Sequence, residues 1–213
     1  MKSIRAILII FLFTNLCFSQ TGWYQVNSGT NRYLTSVFFV NLNTGFSVGN
    51  AGTLLVTNNT GTSWQTISLN DTAYSLSKVY FKDQLTGFVL GQSPIAQFPS
   101  PPPDSLHSRV YKTTDGGIHW YIDMPRIVDV FFNNIEFANA TTGYLSGGLY
   151  SVGPNKIFKT TNSGNSWVEL HTGVNGSILS QKFTDENTGY LGIMNKIYKT
   201  TDGGTSWNQV YQN

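Results

Sequence analysis

The chain is 213 residues long, with 13 basic and 11 acidic residues, 40% hydrophobic residues and 14% aromatics. A formal charge of +2 argues against binding to nucleic acid or to an acidic membrane surface, and a single cysteine rules out a disulfide framework. The length is enough to bury a sizeable core without one.

The first 19 residues read as a signal peptide. Lys2 and Arg5 give a positive start, Ala6 to Phe13 an apolar run, and Cys17-Phe18-Ser19 a small-x-small cleavage pattern before Gln20. The apolar run is too short for a bilayer, where about 20 residues are needed. Removing the leader takes Lys2, Arg5 and the only cysteine with it, which leaves 11 basic against 11 acidic residues. An exported, secreted or periplasmic chain beginning near Gln20 is therefore expected. Lipid attachment through Cys17 is disfavoured by the bulky Leu16 before it.

Residues 20–213 are expected to form one domain. It opens on Trp23-Tyr24-Gln25-Val26, which resembles a strand found later in each repeat. Four units follow, at about 33–69, 75–124, 127–171 and 177–211. Each holds a variant of one phrase: Thr57 to Trp64, Thr113 to Trp120, Thr160 to Trp167 and Thr200 to Trp207, the tryptophans stepping by 56, 47 and 40 residues. Each also holds Thr-Gly-aromatic (Thr44-Gly45-Phe46, Thr86-Gly87-Phe88, Thr142-Gly143-Tyr144, Thr188-Gly189-Tyr190). Six residues before each glycine stands a phenylalanine: Phe39, Phe81, Phe137 and Phe183. In the last unit, strands are predicted over Ser177–Thr184, Gly189–Met194, Lys196–Thr200 and Ser206–Tyr211, with turn-formers between them. Short antiparallel strands at this period predict an all-β array of four four-stranded propeller-type blades. The four phenylalanines and four tryptophans are expected to be buried between sheets.

The recurring phrase reads as a hairpin turn. Asn59, Asp115, Asn162 and Asp202 can accept backbone N–H groups as an Asx-turn does, while Gly61, Gly117, Gly164 and Gly204 supply a positive φ. Trp64, Trp120, Trp167 and Trp207 then fill space between neighbouring sheets. All twelve are assigned structural roles.

Two of the phrases match Ser/Thr-x-Asp-x-Gly-x-x-Trp, the Asp-box or bacterial neuraminidase repeat. With its Phe–Gly-aromatic half and Lys-Thr-Thr-Asp-Gly-Gly core, the whole unit resembles the Ycf48/HCF136-like photosystem II assembly-factor propellers and their secreted bacterial relatives. The resemblance runs from about Trp23 to Tyr211. It departs at Asn59 and Asn162, and at Val56, where the other units carry Lys112, Lys159 and Lys199. It implies a ring of about seven blades and a binding or assembly role. Because only four units are present, an unusual four-bladed ring, an open arc and a shortened copy all remain open. An open arc leaves an edge able to pair with a second copy.

Functional residues are harder to place. The second unit carries a proline-rich loop, 93–108, holding five of the seven prolines, and loops on a rigid scaffold often carry function. Phe98, Leu106, His107 and Arg109 are the candidate contact residues there. Leu149–Asn155 is a smaller insertion. The three arginines that would grip a carboxylate in a sialidase-like site could only be Arg32, Arg109 and Arg126, and their convergence beside a tyrosine and a carboxylate would favour a glycosidase. His107, His119 and His171 show no metal-ligand spacing, and no cofactor is implied. The expected function is an exported, non-catalytic scaffold with a protein or glycan partner in the cell envelope or outside the cell. A glycan-binding or glycoside hydrolase propeller is the alternative.

Overall fold

The computed structural model describes residues 22, 24–93, 106–149 and 155–212. The leader, Trp23, Phe98 and most of both insertions lie outside these residues. Unit 1 comprises β1 (Leu34–Phe39), β2 (Gly45–Gly49), β3 (Leu54–Thr57) and β4 (Gln65–Ile67). Unit 2 comprises β5 (Ser75–Phe81), β6 (Gly87–Gln92), β7 (His107–Thr113) and β8 (Tyr121–Val128). Unit 3 comprises β9 (Phe131–Phe137), β10 (Gly143–Gly148), β11 (Asn155–Thr160) and β12 (Val168–Leu170). Unit 4 comprises β13 (Ser180–Phe183), β14 (Gly189–Ile193), β15 (Lys196–Thr200) and β16 (Asn208–Gln212). Each unit is a separate antiparallel meander with its strands in chain order, so the protein is an all-β array of four propeller-type blades.

The turn between the first two strands of each blade is closed by an Asx side chain. Asn41 Oδ1 accepts the N–H groups of Asn43 and Thr44, each at 2.9 Å; Asp83, Asn139 and Asp185 do the same in their units. This turn fixes a register in which each spaced phenylalanine faces the glycine six residues on: Phe39 opposite Gly45, Phe81 opposite Gly87, Phe137 opposite Gly143, Phe183 opposite Gly189. The ring then lies flat over the glycine. A Cβ built on Gly45 or Gly143 would come within 2.8 Å of ring carbons, closer than packed atoms approach. The Phe–Gly spacing is thus one cross-strand pair, with no room for a second side chain.

Successive blades are joined face to face. The aromatic after each glycine projects forward and stacks on the next unit's phenylalanine: Phe46 on Phe81 at 4.6 Å, Phe88 on Phe137 at 5.5 Å, Tyr144 on Phe183 at 3.4 Å. Around each pair, inner-strand apolar residues complete a cluster. Leu76 and Val79 join Val48 and Leu54 in the first, Phe132 and Ile135 join Leu90 and Val110 in the second, and Ile178 joins Ile157 in the third. Among the described elements, no packed strand pair or ladder joins unit 4 to unit 1. The sheets form an open arc.

Three expectations need correction. Of the four phenylalanines Phe81 and Phe183 are buried, Phe137 is half-buried, and Phe39 is 44% exposed, with no described blade behind it. The four box tryptophans are half-buried: each stands edge-on to the phenylalanines at the rim of the interface, as Trp120 does to Phe46 at 6.2 Å and Phe81 at 5.9 Å. Residues 24–26 form no strand, and Tyr24 and Val26 are exposed. The segment lacks both a turn to set a register and a neighbour to pair with.

Candidate functional site

The four box turns share one geometry. The leading threonine is buried in every unit (Thr57, Thr113, Thr160, Thr200). Its hydroxyl donates to the Asx oxygen and accepts the N–H of the box glycine, at 2.8 and 2.9 Å in unit 4. The same Asx oxygen accepts the N–H four residues further on, Ser63, His119, Ser166 or Ser206. Asn59, Asp115, Asn162 and Asp202 thereby hold their own turns, and Asn serves as well as Asp because one oxygen does the work. The box glycines have φ between 74° and 90°.

Two features of the turn lie beyond the sequence reading. The residue before each box glycine is also left-handed, including Thr60 at φ 58° and Ser163 at φ 64°. The lysine ahead of the phrase reaches into the next blade's turn: Lys112 Nζ donates to the Gly164 carbonyl at 2.7 Å and to Asn165 Oδ1 at 2.9 Å, and Lys159 Nζ to the Gly203 carbonyl at 3.1 Å. The recurrence of lysine at this position was the available signal. Two of the box tryptophans bond locally, Trp120 and Trp207 donating Nε1–H to the carbonyls of Gly117 and Gly204, each at 3.1 Å, whereas Trp167 donates to Asp123 Oδ2 on β8 at 3.2 Å.

Of the loop candidates, Leu106 is half-buried and its carbonyl accepts the Asp129 N–H at 3.0 Å. His107 and Arg109 converge on Tyr74, the histidine ring edge-on at 5.4 Å and the guanidinium 4.4 Å above the ring. Arg109 pairs with Asp71, which also accepts the Tyr111 hydroxyl at 2.6 Å. Burial, then the adjacent Asp71 carboxylate, pushes the Tyr111 phenol well above its usual range. The cluster ties the unit 1–unit 2 connection to β7 and engages Arg109 within the protein. Arg126 lies on the adjacent β8, and Arg32 on the segment before β1, where it lines a separate recess with Asn31, Tyr33 and Asn50.

A further concave surface runs across the first strands of all four blades. It is a groove of about 230 Å³ whose lining includes Phe38, Lys78, Tyr80, Asn134, Glu136 and Gln181. Glu136 pairs with Lys182 and accepts the Phe183 N–H at 3.0 Å, and Tyr80 accepts the Phe137 N–H at 3.2 Å. Lys78 has no hydrogen-bond partner among the described residues.

The family described as photosynthesis system II assembly factor YCF48 matches residues 16–98, which take in the first unit and the start of the second. The match spans less than half of the chain, and it is a likeness over that stretch. A structure of YCF48 bound to a D1 peptide is 17% identical, covering 87% of this chain and 84% of that one with a TM-score of 0.31. YCF48 from Cyanidioschyzon merolae is 19% identical, with 88% of both chains covered and a TM-score of 0.31. Among solved enzymes, an ancestral GH74 enzyme shows a TM-score of 0.65 at 20% identity over 88% of this chain and 25% of that one. The GH74 xyloglucanase from Xanthomonas campestris shows 0.62 at 12% identity, over 82% and 30%. At such identity the likeness is one of fold, and the chain spans about a quarter of the ancestral enzyme's length. No curated protein matches it significantly.

Proposed function

We propose that this Ycf48-like chain is an exported, non-catalytic scaffold that holds a protein partner, or an assembling one, in the cell envelope or outside the cell. The observation that carries the reading is the groove across β1, β5, β9 and β13. At about 230 Å³ it is smaller than the roughly 300–1,000 Å³ that small-molecule sites occupy. Its ring faces, opposite charges and amides suit a peptide segment laid across several blades. Lys78, free of protein partners in the groove, is the residue placed to meet an acidic or carbonyl group of that segment. The assembly-factor match over residues 16–98 supports the same reading. The glycosidase alternative draws only a shared fold from the GH74 structures.

The test is retention of a partner by the immobilised chain from a cell-envelope extract. A discrete protein should be held by the wild type and lost with Lys78→Glu, whose circular dichroism should stay unchanged. Release of sugar from xyloglucan or from sialosides would replace the scaffold reading with the glycosidase one. N-terminal sequencing of the exported protein should begin near Gln20.

A further inference from the structure

We propose that the open face of unit 4 docks on the open face of unit 1 of a second copy, so that two chains close one ring of eight blades. Three internal interfaces show what such a joint consists of, and each end of the arc carries one complementary half of it.

The first half is the rear face of unit 1. Leu34, Val37 and Phe39 are 41%, 59% and 44% exposed. The residues at the same inner-strand positions in unit 2, Leu76, Val79 and Phe81, are buried against unit 1. With no blade behind it, unit 1 presents a recess of about 400 Å³ whose lining includes Val26, Leu34, Val37 and Trp64. That is room for an aromatic ring and its neighbours, with an apolar wall to receive them.

The second half is the front face of unit 4. Phe46, Phe88 and Tyr144 are all buried under the next blade, whereas Tyr190 at the same position is only half-buried. Ile197 is 41% exposed where Leu54, Val110 and Ile157 are buried. Lys199 completes the correspondence. Lys112 and Lys159 each donate to a box carbonyl of the following blade, but Lys199 Nζ only overlies Tyr190, at 5.7 Å, and has no acceptor among the described residues. In the docked pair Tyr190 stacks on Phe39, as Tyr144 does on Phe183, and Lys199 donates to the Thr60 or Gly61 carbonyl.

A second copy is the occupant because it alone is certain to carry both halves. Among the described elements, no packed strand pair joins unit 4 to its own unit 1. A head-to-tail contact that closes on itself with two members gives a two-fold ring and uses every open face. This joint runs through blade faces, and the outer-edge strands β4, β8, β12 and β16 take no part in it.

Light scattering on the full mature chain tests the proposal. The wild type should show twice the monomer mass. Tyr190→Glu and Val37→Glu should each halve it, with the β circular dichroism retained. Mixed in equal amounts, the two variants should recover a dimer, because the intact front of one meets the intact rear of the other. A monomeric wild type overturns the proposal and assigns the faces to a partner of another kind. A dimer that survives both substitutions, or a mixture that stays monomeric, overturns it equally.

Discussion

At Asp115 and Asp202 one carboxylate oxygen closes the turn and the other meets a side chain, His119 Nδ1 at 2.7 Å or the Ser206 hydroxyl at 2.6 Å. The His119 N–H and ring hold Asp115 down to about 2, and the Ser206 hydroxyl and N–H hold Asp202 down to about 2. A carboxylate depressed in the folded state adds stability above its ordinary value near 4 and loses it as the pH falls toward 2. Stability should therefore drop between pH 4 and pH 2, and the double variant Asp115→Asn/Asp202→Asn should melt with a flatter pH dependence over that window. Units 1 and 3, with asparagine in place, have already given up this sensitivity. Thr60 makes a second case. A β-branched residue at φ 58° is strained, and units 2 and 4 place Gly116 and Gly203 at that point. Thr60→Gly should raise stability by roughly 0.5–1 kcal/mol, the relieved strain exceeding the added chain entropy, as thermal melting would register. The Asx–Gly pair of the turn was legible from residue types. The second left-handed position was not, because threonine and serine do not announce it.

Each interface between blades depends on a few long side chains. Trp120 covers the Phe46–Phe81 stack from the rim, so Trp120→Ala should cost about 2–3 kcal/mol, less than a fully buried tryptophan. Lys112 is buried with two acceptors in the next blade. Lys112→Met keeps the stem but leaves the Gly164 carbonyl without its donor, and should cost about 1–3 kcal/mol in chemical denaturation. The Phe–Gly spacing and the strand order could be read along the chain because both are set within a single blade. Half-burial of the tryptophans and the forward reach of the lysines depend on the adjoining blade, to which a sequence period is blind. The cluster of Asp71, Tyr74, His107, Arg109 and Tyr111 shows the same limit: residues up to 40 positions apart meet there, and only His107 and Arg109 stood out beforehand.

Across the molecule, units 2 and 3 are covered on both faces while units 1 and 4 are covered on one. Hydrogen exchange in dilute solution should be slowest in β5, β6, β9 and β10 and faster in β1 and β14, with residues 24–26 among the first to exchange. The repeat count gave four blades, but whether they met was not legible, since closure depends on the small rotation between neighbours and no residue encodes it alone. The joints have a mechanical meaning as well. No hydrogen-bonded ladder passes from one sheet to the next, so blades hold one another only through side-chain faces and a single covalent crossing. Stretched from its two ends, the protein should yield by peeling, one blade at a time, with each rupture force set by one aromatic stack and its lysine. The first-to-second joint, where Val56 stands in place of a lysine, should part most easily. A sawtooth of separate low-force events in single-molecule pulling would bear this out; one cooperative rupture would show the arc to be stiffer than its joints.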